Sequence, residues 1–101
     1  MINDLAYIKS CNNESRHEKL HRALFSILSE EITNPREREE LELNLDEQIL
    51  MMRRQMNGVL VLPPCSAGVV NKVIARLNLY HYWVMGITEV CGQLWLVYKF
   101  E

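Results

Sequence analysis

At Asn57 the spacing of apolar residues changes, and that change constrains the fold more than any other feature of the chain. Before it, apolar residues recur at intervals of three and four, the spacing of helices that bury one face. After it, Asn57–Glu101 reads as a short apolar strand, a helix, and two long strands rich in aromatic and β-branched residues. A chain with helices first and strands last belongs to the α+β class, helices packed on one sheet.

The helical half divides at Thr33-Asn34-Pro35. Proline disfavours helical geometry in the residue before it, so one helix ends here. Asn34 is a good N-cap, Pro35 suits the first helical position, and Glu37 stands three residues after the cap, so a second helix begins at the same place. The first helix is expected from Ser15 to Ile32, its buried stripe Leu20, Leu24, Ile27, Leu28 and Ile32. The second is expected from Pro35 to Met56, burying Leu41, Leu45, Ile49, Met52 and Met56, with Asn57-Gly58 as its stop. Residues 1–13, with the turn signal Asn12-Asn13, read either as a short docked helix or as a mobile tail.

In the C-terminal half, Val59–Leu62 is apolar on both faces and reads as a buried strand closed by Pro63-Pro64. Ser66 then caps a helix over Ala67–Leu77, with Val70, Ile74 and Leu77 as its buried face, supported by Val69 and Val73. Two strands follow, Leu79–Ile87 and Gln93–Phe100, with a turn near Glu89–Gly92. Strand, crossover helix and strand suggest a parallel unit, with the last strand antiparallel beside it. The expected fold is therefore two N-terminal amphipathic helices on a small three-stranded mixed sheet, β-α-β-β, in a single domain over 1–101.

Composition removes several function classes. At 101 residues the chain can hold one ordinary hydrophobic core. Its hydrophobic share of 49% and charged share of 24% suit a soluble globular protein, and no apolar run reaches the ~20 residues that span a bilayer. The N-terminus lacks the basic-then-apolar order of a signal peptide. Three cysteines, Cys11, Cys65 and Cys91, at wide spacings form no disulfide framework and no CxxC pair, which points to the reducing cytoplasm. With a net charge of −2 and no strongly basic half, a nucleic-acid partner is not expected.

Four local patterns could carry chemistry. His17-Glu18-Lys19-Leu20-His21 satisfies the H-E-x-x-H pattern of zinc peptidases, since i and i+4 put both imidazoles on one helix face beside a potential general base. The match covers five residues, with neither a preceding sheet nor a third ligand at the usual spacing. Cys65, just before a helix start, is placed where a helix N-terminus lowers a thiol pKa. His81, between Tyr80 and Tyr82, reads mainly as a packed or edge-strand residue. The run Pro63–Gly68 lacks the glycine pattern of a nucleotide-binding loop, so no cofactor is expected.

Two larger readings remain. A helix followed by a hairpin is similar to part of a winged-helix DNA reader, with Asn71, Lys72 and Arg76 as the contacts, but the proposed wing tip carries Glu89 and no cation. The stronger reading is a non-enzymatic protein-interaction module: a regulator, adaptor or inhibitor that binds a larger protein, or a homodimer. Its basis is apolar side chains in excess of what a small core must bury. Leu43, Leu50 and Met51 lie off the main stripe of the long helix, and Tyr80, Tyr82, Trp83, Trp95 and Tyr98 crowd the hairpin.

Overall fold

The computed structural model describes residues 16–101. Residues 16–28 form helix α1, continued by a 3-10 turn at Ser29–Glu31. Leu20, Leu24 and Leu28 are buried, as their spacing requires, with Ile27 and Ile32 packed at the margin. The expected start at Ser15, the segment 1–13 and Cys11 lie outside the described residues.

Helix α2 spans Pro35–Met52. Asn34 caps it: its Oδ1 accepts from the backbone N–H of Arg36 at 2.9 Å and of Glu37 at 3.4 Å. Leu41, Leu45, Ile49 and Met52 are buried. The expected extension to Met56 is wrong. The helix is capped at Arg53, and Met56 is 66% exposed. Gly58 is not a helix stop but part of strand β1, Asn57–Leu62. Its hydrogen is required by a neighbour, since a Cβ there would stand 2.6 Å from the Tyr98 hydroxyl.

Helix α3 spans Ala67–Leu79, capped by Ser66, whose Oγ accepts from the Val69 N–H at 3.4 Å. Its buried face is Val69, Val73 and Leu77, while Val70 and Ile74 are only half-buried. The apolar stripe is thus rotated from the expected one, with Val69, Val73 and Leu77 inward. Strands β2, Tyr82–Val90, and β3, Gln93–Phe100, follow.

The sheet has the order β1-β3-β2 and is antiparallel throughout, so the expected mixed sheet is corrected. The cause lies in the hairpin. Cys91 and Gly92 take φ of 50° and 78°, the two positive values of a tight type I′ turn, and this joins β3 directly to β2. The far edge of β3 then receives β1. Strands β1 and β2 still run in the same direction, but β3 lies between them.

The three helices of the described residues all cover one face of this sheet. Leu60, Leu62, Leu96 and Tyr98 point into a core with Leu24, Leu45, Val73 and Leu77. A fully buried side chain of this kind contributes roughly 1.5–3 kcal/mol, so this layer is the main source of stability. On the outer edge of β1, Gln48 of α2 behaves like one residue of an extra strand. Its Nε2 donates to the Val61 carbonyl at 2.7 Å, and the Val61 N–H donates to its Oε1 at 2.8 Å. Among the described residues no helix is long and apolar enough to cross a membrane.

Candidate protein-interaction site

Cross-strand neighbours in register share a face, so the pairing identifies the residues on the uncovered side of the sheet. Val59 pairs with Val97 and Val97 with Gly86; Val61 pairs with Trp95 and Trp95 with Thr88; Asn57 pairs with Lys99 and Lys99 with Trp83. These rows form one continuous surface. Trp83 is 40% exposed, Trp95 37% and Val97 42%, values that contrast with complete burial of Leu60 and Leu96 one position away. A Cβ built on Gly86 meets nothing within 4 Å, which leaves a shallow shelf beside Val97.

A bulge between Val84 and Gly86 shapes the edge of this surface. It inserts Met85, which is 69% exposed, and reverses the alternation beyond it. Trp83 therefore faces outward before the bulge, while Thr88 shares that face after it.

The interaction residues expected from sequence separate into four groups. Trp83 and Trp95 lie on the open face. Tyr82 and Tyr98 do not; they are core residues, 7% and 1% exposed, and the expectation is corrected for both. Their rings meet edge to face at 5.5 Å, and burial pushes both hydroxyls above the ordinary phenol range. Leu43, Leu50 and Met51 are exposed on α2, but Leu43 and Leu50 sit on the side opposite its buried stripe, far round the helix from the sheet. Tyr80 is half-buried at the end of α3, its ring beneath the Arg16 guanidinium at 5.9 Å. The missed residues are Val59, Met85 and Val97. Period-two alternation along β1 and β3 was the signal for Val59 and Val97; nothing local announced the bulge that exposes Met85.

The histidine pattern is used between helices. His17 Nε2 lies 3.0 Å from Asp46 Oδ1, and His21 Nε2 lies 3.0 Å from the Glu42 carbonyl oxygen, so both imidazoles reach from α1 to α2. They share a face, as the spacing requires, but each ring nitrogen meets a different partner one turn apart. Glu18 is exposed. Among the described residues no group of three or more His, Cys, Asp or Glu is arranged to hold a metal ion.

The other sites also differ from expectation. The Cys65 thiol is pushed up, by burial first and by the Glu31 carboxylate second, the reverse of the lowering expected at a helix start. His81 is exposed in the turn between α3 and β2, with φ 67°, and is not a packed strand residue. On α3, Lys72 pairs with Glu30 at 3.2 Å, while Asn71 and Arg76 are exposed beside it. No protein-family model, curated protein or solved structure matches this chain.

Proposed function

We propose that this protein is a non-enzymatic interaction module that binds a partner protein, or a second copy of itself, through the open face of its sheet. The single observation that carries the reading is the surface of Val59, Val97, Trp95 and Trp83 left uncovered on a sheet whose other face holds the buried Leu60, Leu62, Leu96 and Tyr98. Exposed Trp beside aliphatic side chains is the composition of interface hot spots, and a patch of this kind marks binding surfaces.

The size of the face sharpens the proposal. Three strands of six, nine and eight residues, ~4.8 Å apart and rising ~3.3 Å per residue, present roughly 360 Å² of flat area. A standard interface buries about 800 Å² on each partner. The sheet is then the centre of a contact, and a partner also reaches the rim, where Met85 is exposed. A regulatory, adaptor or inhibitory role and a reducing compartment complete the reading; the free thiols Cys65 and Cys91 support the latter.

The test uses Trp95→Thr with Val97→Thr, which keep strand propensity while removing apolar surface. Sedimentation over about 10 to 500 μM, with pull-down from the native host, measures association. A dimer or a specific bound protein that disappears in the double variant is the expected result. A protein that stays monomeric at all concentrations and captures nothing that the variant loses would sink the proposal.

A further inference from the structure

A second concave feature lies away from the open sheet face. Where the first described turn of α1, the end of α2 and the corner between α3 and β2 meet, they form an open cavity of about 380 Å³, within the range of small-molecule pockets. Its floor is apolar, formed by Leu20, Ile49, Met52 and Phe100. Its rim holds three guanidiniums, Arg16, Arg53 and Arg54, and no carboxylate among the described residues lines it. In a chain with more acidic than basic residues, that concentration of one sign is distinctive.

Cations after a helix end are commonly explained by the helix dipole, and Arg53 and Arg54 directly follow α2. Arg16 does not fit that account. It comes from another helix and is tied to the α3–β2 corner, its Nη2 donating to the Tyr80 carbonyl at 3.3 Å and its guanidinium 5.9 Å from the centre of the Tyr80 ring. Arg16 and Arg53, from two different helix ends, line the same cavity as the Tyr82 phenol, and both oppose the rise that burial gives that hydroxyl.

We propose that this cavity binds a small organic anion, a single carboxylate or phosphate group carried on a flat apolar body. The anion lies between Arg16 and Arg53, where guanidinium pairs give charge-assisted hydrogen bonds, and the apolar body rests on Met52 and Phe100. The proposal is independent of the sheet face and stands or falls separately.

The experiment titrates the full-length protein with phenylacetate, phenyl phosphate and neutral phenylacetamide, and follows backbone amide shifts by NMR. The expected result is saturable binding of one or both anions below about 1 mM, with shifts at Tyr80, Tyr82 and Phe100. Arg16→Gln and Arg53→Gln should each weaken it about tenfold or more, the loss of one charge-assisted hydrogen bond. Phenylacetamide should bind at least tenfold more weakly, a comparison that needs no variant. The two anions distinguish a carboxylate ligand from a phosphate ligand. Absence of saturable shifts, equal binding of phenylacetamide, or shifts confined to the Trp83 and Trp95 surface would overturn the proposal.

Discussion

Two residues with unusual backbones and one glycine define the strain in this fold. Cys91 holds φ 50° in the hairpin turn, a conformation that costs an L-residue about 1–2 kcal/mol and glycine nothing. Cys91→Gly should therefore raise the unfolding free energy by about 0.5–1 kcal/mol, part of the gain being offset by glycine's greater freedom in the unfolded chain. Urea denaturation with an unchanged slope is the measurement. Gly58 is the opposite case. Alanine there would drive a methyl group into the hydroxyl and ring of Tyr98, which is buried and has no room to retreat. Gly58→Ala should lower stability by about 1–3 kcal/mol, and a neutral result would mean that Tyr98 moves freely. From sequence, Asn57-Gly58 read as a helix stop because that signal is local. Its real reason is a contact forty residues away, which no local pattern reports.

Among the elements, those specified locally were legible and those specified by pairing were not. The α1–α2 junction follows from Asn34 and Pro35, whose effects act within one turn, and the structure has the cap where the sequence puts it. Gln93–Phe100 was legible to the residue, whereas the strand expected at Leu79–Ile87 is Tyr82–Val90, because α3 runs on through Leu79, and the strands' neighbours were not legible at all. Apolar alternation says which face of a strand is buried and nothing about which strand lies beside it. The same alternation could have separated outward Trp83 and Trp95 from inward Tyr82 and Tyr98, which the sequence reading grouped together. Gln48 shows a further kind of information absent from pattern: a polar residue on α2 whose role is to occupy a strand edge. Gln48→Leu should cost about 1–3 kcal/mol, since it leaves two half-buried backbone groups of Val61 without partners. Hydrogen exchange at the Val61 amide should accelerate by more than at its neighbours. Uniform acceleration would instead indicate global loosening.

For the molecule as a whole, one layer of helices and one sheet leave half of the sheet's surface uncovered, and stability rests on the single buried layer between them. Tyr82 and Tyr98 belong to that layer, and burial holds their folded-state pKa values above the unfolded value near 10. Their contribution is fully present below that value and is lost as pH rises through the folded pKa, because the unfolded chain then holds fewer protons. Thermal stability should be level from neutral pH to about 8.5 and fall above it, first through the Cys65 thiol and then, above about 10, through the two tyrosines. Tyr98→Phe, which keeps the ring and removes the titrating group, should flatten that fall. The Gln48 clamp has a different meaning at this scale. A sheet that can add strands without limit grows into filaments, whereas one closed at an edge and open on a face makes discrete pairs. By occupying both backbone groups of Val61, one amide side chain removes a rung of the β1 edge from pairing with any incoming strand.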